Sequence, residues 1–300
     1  MALRHKNYDQ SIQTFIMMVV DIIAILLHFR RLFGSCALFT IMFALTSCAA
    51  IYLDTDFTVD QELQNNIIDQ SSDLFVEIEP LFLSDEIKLL LDDVIDPYDS
   101  EFKRVEKIQD VLYGEDYLGI IYSDQKTHTA VEAFLAREGN CLSVMNLYVA
   151  MARYLGVDAN FQTVAVRPNW DRRGDLLVLS QHINATGRLN GQRRYVADFT
   201  PEISLQQLTS SILTDSEARA LYFNNLGVEA LISGDYEVAL KYLKNSLFLD
   251  SEQSITWNNI GTTYNRLENS EYAEYSYQRS FNLDKRNATA VNNLAKFLHG

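Results

Sequence analysis

Apolar residues recur at helical spacing in the first part of the folded region and at alternate positions in its middle. After Ser84, Ile87, Leu90, Leu91 and Val94 form one helical stripe that ends at Asp96-Pro97; after Ser100, Phe102, Val105, Ile108 and Leu112 form a second. Thr129-Ala130-Val131-Glu132 has the capping-box pattern and opens a short helix to Arg137, which Glu138-Gly139-Asn140 breaks. Asn140 then caps CLSVMNLYVAMARYL, a stretch apolar nearly all round and therefore expected to be buried, with Gly156-Val157 as its stop. From here the period falls to two. Phe161–Arg167, Leu176–Ala185 and Arg193–Phe199 read as strands, with residues 169–174 as a loop and Asn190-Gly191 as a hairpin signal.

Beyond residue 218 the helical period returns inside a longer one. Shifting the chain by 34 places Asn224-Asn225-Leu226-Gly227 on Asn258-Asn259-Ile260-Gly261 and then on Asn292-Asn293-Leu294-Ala295. In the same frame Glu237 meets Glu271, Ala239 meets Ala273 and Ser246 meets Ser280. This spacing, with Gly and Ala where paired helices approach most closely, resembles the tetratricopeptide repeat. Ser246 and Ser280 replace its usual alanine, its inter-repeat proline is absent, and the third copy stops after one helix. The resemblance implies a concave groove for a protein partner, with Asn224, Asn258 and Thr262 as partner-binding residues; buttressing of the preceding domain is the structural alternative.

The N-terminus differs in composition from the rest. Arg30-Arg31 precedes sixteen uncharged residues, Leu32 to Ser47, which are followed by Cys48. That run is shorter than the ~20 residues of a spanning helix and has the parts of a secretory signal. Leu45-Thr46-Ser47-Cys48 resembles the lipobox of bacterial lipoproteins, which implies lipid attachment at Cys48 and, with Ala49 after it, a periplasm-facing protein of the outer membrane. An uncleaved anchor is the alternative. The upstream apolar run is interrupted by Asp21 and His28, which places the functional start at Met17 or Met18. Residues 52–73 are polar and read as a tether.

Composition narrows the function. A chain of 300 residues, 48% hydrophobic and 22% charged, supports folded domains rather than disorder. Its net charge of −15 becomes −17 once a leader with four cations and two acids is removed, which excludes nucleic acid as a partner. Three cysteines make neither a disulfide framework nor a zinc cluster, and no glycine-rich phosphate loop occurs; no metal or cofactor is implied. With Cys36 lost in the leader and Cys48 lipidated, Cys141 is the one free thiol of the exported chain.

Cys141 opens the buried helix, where orphan N–H groups and the dipole favour negative charge. His182 lies on the second following strand and Asp198 on the third. A two-residue Asn190-Gly191 loop would turn Asp198 away from His182. A three-residue loop, Leu189-Asn190-Gly191, puts the two opposite each other, with Gly191 in the left-handed region such a loop needs. His128 is a rival base that belongs better to the helix start, and Trp170 either lines a cleft or covers the sheet.

Arg137 to Cys141, the helix to Gly156-Val157, His182 and Tyr195 to Asp198 resemble the transglutaminase-like branch of the papain-type cysteine enzymes. The resemblance implies an α+β fold, helices packed on an antiparallel sheet, followed here by an α-helical tetratricopeptide-repeat solenoid. It implies catalytic roles for Cys141 as nucleophile, His182 as general base and Asp198 as orienting acid, acting on an amide or peptide substrate. The expected organisation is a signal over 1–47, a tether and lead-in over 48–80, the transglutaminase-like domain over 81–205 and repeats over 218–300. A non-catalytic anchored scaffold is the competing reading, favoured if Cys141 lies far from His182 or is sealed from any cleft.

Overall fold

A computed structural model describes residues 57–69, 76–173, 176–199 and 209–299 of the chain. The expected signal, Cys36 and the lipobox at Cys48 lie outside the described residues. Among the described residues, no helix is long and apolar enough to cross a membrane.

Each helix of the first half starts where a side chain can take an orphan amide. Asp60, Ser84 and Ser100 cap α1 (Gln61–Ile68), α2 (Asp85–Val94) and α3 (Glu101–Tyr113). Thr129 and Glu132 complete the reciprocal capping box of α4 (Ala130–Ala136), which ends at Arg137 in the left-handed conformation. Asn140 caps α5 (Cys141–Tyr154) through Ser143 N–H. Gly156, at φ 73°, then ends the helix with the Val157 amide bonded back to the Ala152 carbonyl, the expected Schellman geometry.

Every residue of α5 from Leu142 to Ala152 is buried. Its Met145, Leu147, Tyr148 and Met151 share one core with Ile87, Leu91, Ile108 and Leu112 of α2 and α3 and with Phe161 and Ala185 of the sheet. At about 1.5–3 kcal/mol per fully buried large apolar side chain, this helix is the principal apolar ballast of the fold. The same core continues into Ala218, Leu221, Tyr222 and Phe223 of the first C-terminal helix.

The sheet is antiparallel throughout, in the order β5 (Arg193–Ala197), β4 (Leu176–Leu189), β3 (Asn160–Arg173), β6 (Thr209–Ile212). A separate two-residue parallel ladder joins β1 (Ile121–Tyr122) to β2 (Glu138–Gly139), just before α5. Residues 169–173, expected as loop, instead continue β3 and pair with 176–180. The register shifts between Val164 and Asn169, and Pro168 sits in that irregularity, where no ladder bond needs its missing N–H. Trp170 lies on this extension opposite Leu179.

The C-terminal region is helical: α6 (Asp215–Ser233), α7 (Tyr236–Leu249), α8 (Ser254–Arg266), α9 (Ser270–Leu283) and α10 (Ala288–His299). Its contacts repeat at the 34-residue period. A Cβ added to Gly227 would lie 2.6 Å from Leu243 Cγ, and one on Gly261 2.9 Å from Tyr277 Cδ1, so glycine is what lets each helix pair close. The serines replacing alanine have their own partners: Ser246 Oγ lies 3.0 Å from Thr256 Oγ1, and Ser280 Oγ donates to the Ser254 carbonyl at 2.6 Å. Part of the expected tether is ordered on this region. α1 buries Ile67, and the Tyr275 hydroxyl donates to the Asp60 carbonyl at 3.1 Å.

Candidate active site

Cys141 is the first residue of α5 and is partly exposed. Its Sγ lies 3.6 Å from His182 Nδ1. The other ring nitrogen, Nε2, lies 3.0 and 2.9 Å from the two carboxylate oxygens of Asp198. His182 and Asp198 are almost removed from solvent, with side chains 3% and 7% exposed. The fold therefore brings the three sequence-selected residues together, with the imidazole between thiol and carboxylate.

The register that does this differs from expectation. Leu189 pairs with Arg193 and Ala185 with Ala197, so the loop is Asn190-Gly191-Gln192. Asn190 and Gly191 both have positive φ, 50° and 70°, and Gln192 N–H donates to the Leu189 carbonyl. Extending the ladder by one residue sets Asp198 opposite Asn184 rather than His182. Because side chains alternate with period two, Asn184 and His182 share a face. Asn184 Nδ2 accordingly donates to Asp198 Oδ2 at 3.0 Å, and His182 reaches the carboxylate diagonally. Sequence reasoning missed Asn184, whose signal was its place two residues after the histidine.

Burial works against charge on His182, but its hydrogen bonds with Asp198 and Cys141 and the negative charge of both outweigh it. Its pKa is pushed up to about 9. Tyr113 and Tyr122 flank the group through Phe199, with ring centroids 5.4 and 6.1 Å from it. Burial, with the charges of Asp198 and Cys141, pushes the Tyr113 phenol well up, and its hydroxyl is buried without a hydrogen-bond partner among the described residues.

A second connection escaped the sequence altogether. Glu229 of α6 accepts the Thr127 amide at 2.7 Å, Thr127 Oγ1 accepts Asn140 Nδ2 at 2.8 Å, and Asn140 Oδ1 caps Ser143 at 2.9 Å. The C-terminal helices are thus hydrogen-bonded to the start of the helix that carries Cys141. Burial raises the Glu229 pKa against the lowering effect of those Thr127 bonds. His128, the rival base, is held by its backbone: its amide donates to Ser143 Oγ at 2.7 Å and its carbonyl accepts Asn146 Nδ2 at 3.1 Å.

Cys141 opens on a cleft of about 1210 Å³ that also takes in Asn224, Asn258 and Thr262. Asn224 and Asn258 are 3% and 4% exposed, and Thr262 accepts the Tyr277 hydroxyl at 3.2 Å. Among the described residues no group of three or more His, Cys, Asp and Glu side chains is arranged to hold a metal ion.

Residues 90–199, which contain the thiol, imidazole and carboxylate, match the family model of the transglutaminase-like superfamily. This segment is a transglutaminase-like domain. Cysteine-based catalysis is typical of that superfamily, and the matched segment runs from α2 through Phe199. No curated protein matches the chain. Among solved structures it is similar to the second TPR domain of the human RPAP3 protein, determined by NMR in complex with an HSP70 peptide. That likeness has 26% identity over 27% of this chain and 67% of the other, with a TM-score of 0.26. The described residues form a mixed helix-and-sheet structure: a transglutaminase-like domain and a C-terminal helical region.

Proposed function

We propose that this protein is a cysteine-nucleophile enzyme that acts on amide or peptide bonds by hydrolysis or acyl transfer. The observation that carries the reading is the pair of distances at His182: 3.6 Å to Cys141 Sγ on one side and 2.9 Å to Asp198 on the other. Both distances and the open cleft argue against a sealed, non-catalytic scaffold.

In this mechanism the uncharged form of His182, whose pKa is pushed up to about 9, accepts the Cys141 proton at Nδ1 as sulfur adds to the amide carbonyl. Asp198 holds the Nε2–H tautomer and stabilises the imidazolium. As the C–N bond breaks, Nδ1–H protonates the departing amine and leaves a thioester. Water or a second amine, deprotonated by the same nitrogen, then attacks the thioester and releases acid or new amide with the thiol restored. The Cys141 backbone N–H is the proposed donor to the oxyanion.

Site-resolved alkylation tests the assignment. Cys141 should label faster in the native chain than in urea. Labelling should vanish in Cys141→Ser and slow at least tenfold in His182→Ala, within the range of lost acid–base assistance. A native thiol no more reactive than the unfolded one would refute it.

The reading extends to organisation and place. A tetratricopeptide-repeat solenoid over 218–300 would bind protein at Asn224, Asn258 and Thr262, supported by the 34-residue recurrence of both sequence and helix contacts. A signal over 1–47 and a lipidated Cys48 would anchor the protein to the bacterial cell envelope, periplasm-facing at the outer membrane, supported by the apolar run that ends in Leu45-Thr46-Ser47-Cys48. Metabolic labelling with an alkynyl fatty acid should tag the protein, and Cys48→Ala should abolish the tag; a label that survives refutes the anchor.

A further inference from the structure

The cleft at Cys141 does not end with the transglutaminase-like domain. It runs along three helices of the C-terminal region and is lined there by Asn224, Asn225, Asn258, Asn259, Asn292 and Asn293. These are one Asn-Asn pair from each of α6, α8 and α10, spaced by 34 residues. Their amides are oriented by one another. Asn259 Nδ2 donates to Asn224 Oδ1 at 2.8 Å, and Asn293 Nδ2 donates to Asn258 Oδ1 at 3.0 Å. Asn224 and Asn258 are buried, and Asn224 Oδ1 also accepts from Thr256 Oγ1 at 3.3 Å, so these two hold the ladder in place. With two donor hydrogens and two acceptor lone pairs each, the more exposed Asn225, Asn259, Asn292 and Asn293 keep hydrogen-bonding capacity of both kinds toward the cleft. A peptide backbone offers the matching alternation of N–H and C=O.

Resting on the proposed reading of Cys141 as nucleophile, we propose that the substrate itself occupies this ladder. An extended polypeptide segment lies across α10, α8 and α6, held by its backbone amides, and presents its scissile amide to Cys141. The repeats are then the substrate-positioning half of one active-site cleft, not a separate docking surface, and the substrate class is unfolded polypeptide, not a small amide.

Length and charge agree with that occupant. Adjacent helices pack about 8–10 Å apart, so three span about 20 Å, and a chain at about 3.3 Å per residue needs roughly six residues to cross them, or about eight to reach the thiol. Four cationic and three acidic side chains line the cleft, so it is close to neutral in a chain of net charge −15. An acidic segment is not repelled there as it would be elsewhere on the surface. The Glu229–Thr127–Asn140 chain of hydrogen bonds ties the two halves together where the ladder meets α5.

The test uses the full-length chain and peptide chloromethyl ketones of randomised sequence, two or eight residues long, with alkylation at Cys141 followed by mass spectrometry. The eight-residue mixture should alkylate Cys141 at least about tenfold faster than the two-residue mixture, the worth of one or two net hydrogen bonds. Asn292→Trp, at an exposed position on the helix most distant in sequence, should bring that ratio close to one, and Lys296→Glu should lower it for acidic peptides. Reading a ratio within each protein removes any general change in thiol reactivity. A ratio of one in the wild type, or a ratio that survives Asn292→Trp, overturns the proposal while leaving the nucleophile assignment standing. A native thiol that iodoacetamide alkylates no faster than the urea-unfolded thiol overturns the nucleophile assignment first.

Discussion

Titration of His182 should appear in the stability of the whole protein. Its pKa is pushed up to about 9 from an ordinary 6.5, so over that interval the folded chain binds a proton that the unfolded chain has released. Stability from this group is therefore complete below pH 6.5 and lost as pH rises through about 9. A displacement of about 2.5 units at about 1.4 kcal/mol per unit is worth roughly 3 kcal/mol. At 3% exposure the side chain lies out of reach of most solvent screening. The perturbation is His182→Gln, which removes the titrating group; other groups that ionise in the interval contribute to both proteins. Urea unfolding at pH 6 and pH 10 should show the wild type losing about 3 kcal/mol more than the variant. Equal losses in the two proteins would refute the reasoning, as would an NMR titration of the His182 ring with a midpoint at or below 6.5.

Three further outcomes follow from other parts of the molecule. The alkaline limb of Cys141 alkylation should lie near pH 9, and Asp198→Asn should move it toward lower pH by removing the partner that helps hold the imidazole charged; a pH–rate profile reads both. Gly187→Ala would put a Cβ 1.8 Å from the Asp158 carbonyl oxygen, and this clash with backbone should cost at least about 2 kcal/mol in urea melts. Glu229→Ala leaves the Thr127 amide without its acceptor; it should cost about 1–3 kcal/mol and slow Cys141 alkylation, whereas a Glu229→Gln substitution should restore most of both.

Much of this arrangement is legible in the chain because it is set over short distances. Asn140 and Gly156 bracket α5 by caps that act within a few residues, and the all-round apolarity between them is what burial requires. The Gly227 and Gly261 contacts follow from a period visible in the letters. The His182–Asp198 face is a matter of parity, which an odd-length loop preserves. The offset within that face is not legible. Whether the ladder starts at Arg188–Gln192 or at Leu189–Arg193 depends on Asn190 and Gly191 both taking positive φ, and sequence reasoning assigned that conformation to Gly191 alone. The β3 extension is not legible either: residues 169–173 lie past a register shift after Val164, and their pairing with 176–180 is set by the sheet, not by local pattern.

The sequence alone was enough for the order of thiol, imidazole and carboxylate along the chain, for the helices that begin at capping residues and for the 34-residue repeat. Each of these is a property of neighbouring residues or of a period. Folding was needed to bring Cys141 to a histidine 41 residues away, to link Thr127 to a glutamate 102 residues away and to open the asparagine ladder onto the thiol. The reason is energetic. Strand register and helix docking are selected by burial summed over a whole core, and no single segment carries that sum.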